Sequence, residues 1–324
     1  MRAWQLTELG EPIDRLVLAE VDEPIAGPGQ VVIDIEATGV AYPDVLMCQG
    51  RYQAPTPIPF TPGGEVSGVV AAVGEGVADL AIGDRVVSMA GRGLAERTVA
   101  TASAAFRLPD GVATDKAAAM PVNYGTTWFA LHDRGALQAG ETLLVTGAAG
   151  GTGTAAIQLG LAMGARVIAV CGGAAKAALC ESLGAHVVVD HRATPEWVDA
   201  VKDATGGAGV DVAYDPVGGA TFHQVRRCMA WDGRLLVIGF VEGIPDAPLN
   251  HVLLKNYSIV GVHWGASLGR RPAALREQMD SVLALAAKGL VDPPLDPYAF
   301  GDAARALQDL ADRKVVGKVV VRRR

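Results

Sequence analysis

The chain is poor in cysteine and has no C-x-x-C pair among its 324 residues. Cys48, Cys171, Cys180 and Cys228 are scattered, and only Cys171 and Cys180 lie near each other, at a spacing that matches no zinc pattern. Free, mostly buried thiols in a reducing compartment are expected. Long apolar runs are also lacking: none reaches the length that spans a bilayer, so no membrane partner is expected. The opening Met1-Arg-Ala-Trp-Gln-Leu-Thr-Glu8 lacks the apolar core of a signal peptide, which makes a cytoplasmic location the default. Positive charge is not in excess. The net charge of −7 argues against nucleic acid as a partner, and Arg322-Arg323-Arg324 reads as a solvated tail. Internal repeats and low-complexity segments are absent.

What is present is hydrophobic and glycine-rich. Half the residues are hydrophobic and 40 are glycine, as suits an α/β enzyme with buried parallel strands. The length allows two domains of ordinary size. The most informative stretch is Glu141-Thr-Leu-Leu-Val-Thr-Gly-Ala-Ala-Gly-Gly-Thr-Gly153. An apolar run meets a glycine loop, a helical segment follows from Thr154 to Met163, and a second apolar run spans Arg166 to Val170. Strand, glycine loop, helix and strand in this order place a dinucleotide pyrophosphate on a helix N-terminus. The glycines let the backbone approach the phosphates without a Cβ in the way. Ala149, Gly150, Gly151 and Thr152 are the loop residues expected to face them.

The first third reads as short strands and turns. Gln30–Ala37 alternates apolar and polar; Glu65–Val73 is bounded by Gly63-Gly64 and Gly74; Val86–Ser88 follows a Gly83-Asp84-Arg85 turn. Pro55, Pro57, Pro59 and Pro62 mark an irregular loop. These features suggest a barrel-like β domain over residues 1–120. Helical texture begins at Asp115–Met120 and Tyr124–Arg134. Strands are expected at Leu143–Val145, Val167–Val170, Val187–Val189, Val210–Tyr214, Leu235–Ile238 and Ile259–Val262. Helices are expected between them, near Ala155–Met163, Ala174–Leu183, Pro195–Ala204, Ala220–Ala230 and Leu249–Lys255. Six strands with crossovers make a doubly wound parallel sheet over 121–265. Helices at Pro272–Lys288 and Asp302–Ala311 and a strand at Lys318–Val321 belong to a tail, 266–324, that returns to the first domain.

Several motifs stand in a telling order: Asp44-Val-Leu-Met-Cys-Gln-Gly-Arg-Tyr52, Pro62-Gly-Gly-Glu-Val-Ser-Gly68, Gly83-Asp-Arg-Val86, Ala148-Ala-Gly-Gly-Thr-Gly153, Asp215-Pro-Val-Gly-Gly219, Val237-Ile-Gly-Phe240 and Gly317-Lys318. Together they resemble the quinone oxidoreductase and zeta-crystallin branch of the medium-chain dehydrogenase/reductase superfamily, over essentially the whole chain. The resemblance implies a GroES-like barrel beside a Rossmann domain, with NADPH held in the cleft between them and no zinc. Two departures stand out. Ala41 occupies a place where the family often carries Asn, removing a polar group expected near the active site. Thr152 replaces the usual Val, and its hydroxyl is free to add a phosphate contact.

The cofactor choice is read at the end of the second Rossmann strand. An NAD-preferring site carries Asp or Glu there, for the ribose 2′-OH. This chain reads Val170-Cys171-Gly172-Gly173, with no carboxylate to repel a 2′-phosphate. Lys176 follows, and Asp190-His191-Arg192 closes the third strand. NADPH is therefore expected, with Gly172, Lys176 and His191 at the adenosine phosphate; Arg192 and Lys176 have ordinary surface charges as the competing reading. At the nicotinamide end the resemblance suggests Thr126 and the backbones of Ile238-Gly239-Phe240 and Val262-His263-Trp264. Phe240 and Trp264 serve equally well as core or interface aromatics. Lys255-Asn256 is a family marker without an assigned role.

Zinc members of the superfamily place a His in a Gly-His-Glu motif. Here that motif reads Gly63-Gly64-Glu65, the early Cys position near Val40-Ala41 is apolar, and the four-cysteine lobe is missing. Without a Lewis acid, the expected chemistry is hydride transfer from NADPH to a quinone or enone, for which positioning carries much of the rate. Tyr52 is the candidate proton donor, by resemblance to enoyl reductases with a similar Gly-x-Tyr setting; packing over the nicotinamide is the alternative. Asp44 reads as structural, holding its loop. An enoyl-thioester reductase and a weakly catalytic NADPH-binding structural protein are the other functions to weigh. A homodimer is expected through Asn256–Trp264, read as the last, uncovered strand of the sheet.

Overall fold

The computed structural model describes residues 1–53 and 55–323. The chain divides into two compact units, one of Met1–Val122 with Ala273–Arg324, the other Asn123–Pro272.

The first unit opens with β1 (Arg2–Leu6), α1 (Pro12–Arg15) and β2 (Leu16–Glu20), with β1 and β2 antiparallel. Then come β3 (Gln30–Gly39), α2 (Tyr42–Cys48), β4 (Glu65–Val73), β5 (Arg85–Ser88), β6 (Arg97–Thr101), β7 (Ala105–Arg107) and α3 (Thr114–Ala118). Valine and isoleucine alternate along β3 and β4 and bury Val31, Ile33, Ile35, Val66 and Val70 in one core.

The second unit starts within α4 (Pro121–Trp128), which passes into a π-helical turn at Phe129–Arg134. It continues with β8 (Thr142–Val145), α5 (Gly151–Ala162), β9 (Arg166–Cys171), α6 (Ala174–Ser182), β10 (Val187–Asp190), α7 (Trp197–Ala204), β11 (Val210–Asp215), α8 (Gly219–Cys228), β12 (Met229–Val237), α9 (Leu249–Lys255), β13 (Ser258–Gly261) and α10 (Trp264–Arg270). The six strands are parallel, in the order β10-β9-β8-β11-β12-β13. This is the doubly wound order, with its switch point between β8 and β11. Leu143, Leu144 and Val145 are wholly buried, as a strand covered on both faces must be. Trp197, Val198 and Val201 line the inner face of α7, while Asp199, Lys202 and Asp203 point away from the core.

The chain then returns to the first unit with α11 (Ala273–Ala287), β14 (Leu295–Ala299), α12 (Ala303–Ala311) and β15 (Lys318–Arg322). β15 pairs antiparallel with β3 and parallel with β14, completing a seven-stranded sheet.

Two sequence expectations need correction. The last Rossmann strand does not fill Asn256–Trp264: Asn256 takes a left-handed conformation (φ 52°) that caps α9, and Trp264 begins α10, so only Ser258–Gly261 is strand. The terminal arginines are not a solvated tail. Arg322 lies in β15 and meets Asp115 at 2.5 Å; Arg323 pairs with Asp34 and donates to the Glu96 carbonyl at 3.0 Å. Arg324 lies outside the described residues.

Candidate active site

The phosphate-binding candidate is built where β8 ends. Thr146 leaves the strand and donates to Asp215 Oδ1 at 2.7 Å. The same carboxylate oxygen accepts the Val217 and Gly218 N–H groups at 3.0 and 3.3 Å, so Asp215 ties the glycine loop to the turn after β11. Burial raises its pKa, and the three donors oppose that rise. Gly150 is the N-cap of α5, and the amides of Gly151, Thr152 and Gly153 are the helix's opening donors.

A polar side chain that sequence reading passed over sits beside them. Asn123 is buried, its Nδ2 has no partner, and a Cβ on Gly151 would run into that nitrogen. An orphaned amide donor at an uncapped helix start suits an anion such as a pyrophosphate. The signal available in the sequence was one polar residue within the apolar Pro121-Val-Asn-Tyr124. Thr152 lies in the first turn of α5, where its amide is an opening donor and its carbonyl accepts the Thr127 hydroxyl at 3.5 Å. Tyr214 also pairs with Thr127 Oγ1 at 3.0 Å, and burial pushes the phenol up to about 12. This buried cluster joins α4, α5 and β11.

At the end of β9, Gly172 and Gly173 form an open turn, with Gly173 at φ 102°. A Cβ on Gly172 would lie 2.7 Å from His191 Nε2 and 3.2 Å from Arg192 Nε. Glycine is thus needed for His191 and Arg192 to close on the turn. Lys176 stands in the first turn of α6. Neither Lys176, His191 nor Arg192 has an ion pair or side-chain hydrogen bond among the described residues. Asp190 organises the place: its Oδ1 accepts the Gly173 N–H at 2.8 Å and the Arg192 N–H at 2.9 Å, and these bonds hold its pKa below the usual carboxylate range. Three unpaired basic side chains around a Cβ-free turn fit a 2′-phosphate.

The other expected positions cluster at the ends of β12 and β13. Ile238 donates to the Asp215 carbonyl at 3.0 Å, and Val262 to the Val237 carbonyl at 3.1 Å. Both amides are therefore already engaged, which leaves carbonyls and the remaining amides for a carboxamide. Phe240 is 45 % exposed. Trp264 is 5 % exposed, and its ring lies against Gly125 of α4, so it packs within its own unit. His263 caps α10. Thr126 is half-buried beside the inward-turned Thr127.

In the first unit, Tyr52 is half-buried in the irregular loop after α2. Asp44 holds that region: Oδ2 accepts the Ala41 N–H at 2.8 Å and Oδ1 the Gly63 N–H at 2.9 Å. Glu65, 1 % exposed, pairs with Lys318 and accepts the Val122 N–H at 2.7 Å. Cys48 is fully buried, and burial followed by the Asp44 charge pushes its thiol up to about 12. These groups do not fit a catalytic zinc. The carboxylates are committed to backbone and lysine, the thiol is held protonated, and Gly64 stands where an imidazole would be needed. Among the described residues, no three His, Cys, Asp or Glu side chains group as a metal site.

Comparison with known proteins agrees with this architecture. Residues 27–118 match the alcohol dehydrogenase GroES-like domain, and residues 151–287 match the family described as zinc-binding dehydrogenase. The quinone oxidoreductase-like protein 2 homolog of Nematostella vectensis is 37 % identical, over 99 % of this chain and 88 % of its own. A probable oxidoreductase from Mycobacterium abscessus is 41 % identical, with a TM-score of 0.90, over 99 % of this chain and 98 % of its own. The Escherichia coli quinone oxidoreductase, solved with NADPH, is 26 % identical with a TM-score of 0.90, over 99 % of this chain and all of its own. The chain belongs to the quinone oxidoreductase branch of the medium-chain dehydrogenase/reductase superfamily.

Proposed function

We propose that the protein is a zinc-independent, NADPH-dependent reductase of quinones or other electron-poor conjugated carbonyl compounds. The observation that carries the cofactor half is the unpaired trio Lys176, His191 and Arg192 around Gly172. No acid stands at the end of β9, and the nearby Asp190 carboxylate is taken up by the Gly173 and Arg192 amides, so the side chains free to meet a 2′-phosphate there are basic. Ala149, Gly150, Gly151 and Thr152, with Asn123, would receive the pyrophosphate. Thr126 and the backbones of Ile238–Phe240 and Val262–Trp264 would orient the nicotinamide. When bound, NADPH supplies a hydride.

The protein's own part is to position, to exclude water and to manage one proton. A quinone that accepts hydride becomes an aromatic phenolate, which is stable without help. An enone becomes a more basic enolate, and the Tyr52 hydroxyl is the proposed donor to it. The donor set around Asp44, Glu65 and Cys48 supports a reaction without a metal. We further propose a homodimer formed at β13, which ends the six-stranded sheet and whose Ile259 and Val260 are only half-buried. No described helix is long and apolar enough to cross a membrane.

The test is a spectrophotometric screen of NADPH consumption with ortho-quinones, para-quinones, enones and enoyl-CoA. Turnover of quinones or enones is expected to lead. A lead for enoyl-CoA would make the protein a thioester reductase, and NADPH binding with no turnover would make it a structural protein. Zinc at one equivalent in protein purified without added metal would overturn the metal-free reading.

A further inference from the structure

Lys255-Asn256 takes no part in the sites above, yet Lys255 stands in an unusual neighbourhood. Arg226 lies in the last turn of α8, His251 and Lys255 lie on α9, and Tyr257 leads into β13. The rings of His251 and Tyr257 meet edge to face, with centroids 5.8 Å apart. Three polar atoms here are sealed from solvent and have no hydrogen-bond partner: Arg226 Nε, His251 Nδ1 and the Tyr257 hydroxyl. Tyr257 is 3 % exposed. Among the described residues Lys255 Nζ reaches only the Met229 carbonyl, at 3.4 Å, which leaves donor capacity on the ammonium.

The charge acting on His251 and Tyr257 has one sign. Burial, then Arg226, then Lys255 hold His251 below the usual imidazole range, and no carboxylate opposes them. For Tyr257, burial raises the phenol while Arg226 pulls it down, again with no acid involved. Yet the chain as a whole carries a net charge of −7. A buried polar atom without a partner is costly, more so when charged, so three together weigh on a fold of ordinary stability. Water can satisfy a neutral donor but cannot offset two neighbouring cations. An oxyanion does both.

We propose that Arg226, His251, Lys255 and Tyr257 form a binding site for a small oxyanion, with phosphate as its chemical class. The two cations supply charge; the phenol and the imidazole supply directional donors. A tetrahedral group with several acceptor oxygens uses all four. The site is not the 2′-phosphate trio: that trio follows β9 and β10 at one edge of the sheet, and this cluster adjoins β13 at the other.

The experiment uses full-length protein saturated with NADPH, so that the cofactor's phosphate positions are filled. Thermal unfolding is followed against inorganic phosphate and, separately, glycerol 3-phosphate, at ionic strength held constant with sodium chloride. Each arm distinguishes a free anion from the phosphate of an ester, and either one supports the site. A saturable rise in Tm is expected. Tyr257→Phe and Arg226→Met should each weaken the apparent affinity about tenfold or more, the loss of one charge-assisted hydrogen bond. Arg226→Met keeps the apolar stem at a half-buried position, so it tests the site even if the core variant folds poorly. No saturable rise in either arm, or a rise unchanged in Arg226→Met, would overturn the proposal.

Discussion

The two units treat buried charge in opposite ways. In the first, Glu65, Lys318 and Asp44 are almost wholly buried and satisfied within the fold, by each other or by backbone amides. In the second, His191 and Arg192 lie against the Gly172 turn and Lys176 stands in the helix that follows, none with a side-chain partner among the described residues. Self-satisfied charges fix a structure, whereas unsatisfied ones at an open turn await a ligand. The buried Glu65–Lys318 pair therefore serves as a fastening in the first unit, and these unpaired charges sit on the Rossmann unit.

The sharpest way to break this comparison is at the fastening. Lys318→Ala leaves Glu65 buried and unpaired, and should cost about 3–5 kcal/mol in denaturant unfolding. Lys318→Met combined with Glu65→Gln should recover much of that loss. A cost below about 1 kcal/mol for Lys318→Ala would mean that the pair fastens nothing.

Tyr52 is the first unit's exception, a half-buried hydroxyl without a hydrogen bond among the described residues. Tyr52→Phe should lower kcat for enones about 10²-fold, the lower end of general-acid contributions, and for quinones far less. Full kcat with both would make Tyr52 a packing residue. Loss of both along with NADPH affinity would make it a cofactor contact.

In the second unit, Lys176→Ala should raise the KM for NADPH about tenfold while sparing NADH, the scale of one charge-assisted hydrogen bond. Equal changes for both cofactors would remove Lys176 from the 2′-phosphate.

The smallest effect belongs to Thr152→Val. It removes a hydroxyl and keeps the amide, so stability should change by less than about 1 kcal/mol and cofactor KM should stay nearly unchanged. A large rise in KM would return the hydroxyl to the phosphate.

The sequence showed most clearly those features that local chemistry dictates. β4 spans Glu65–Val73 as read, because glycines bound an apolar run on both sides. The strand, glycine loop and helix around Gly150 were legible for the same reason. What escaped depends on residues far apart in the chain. Asn123 matters only because α4 is placed beside Gly151, and Asp190 only because β10 lies next to β9 and its carboxylate can reach Gly173. β13 was read too long because Ile259 and Val260 share their apolar texture with Val262 and Trp264, while the turn at Asn256 and the start of α10 are set by packing. Arg322 and Arg323 looked like a tail because their partners, Asp115 and Asp34, stand 207 and 289 positions earlier in the chain.

The bond between Glu65 and Lys318 also has a meaning during synthesis. Its two residues are 253 positions apart. The Rossmann unit is one continuous segment and can close as soon as it leaves the ribosome. The first unit cannot: the Ala37–Gly39 end of β3, beyond the reach of β6, and the carboxylate of Glu65 must wait, open to water, until β15 emerges. At about 5–20 residues per second, that delay is on the order of ten seconds or more. For that interval the half-built sheet is an exposed edge awaiting its own last strand. The nascent chain is thus most vulnerable to chaperone capture or mispairing in its oldest part, not its newest.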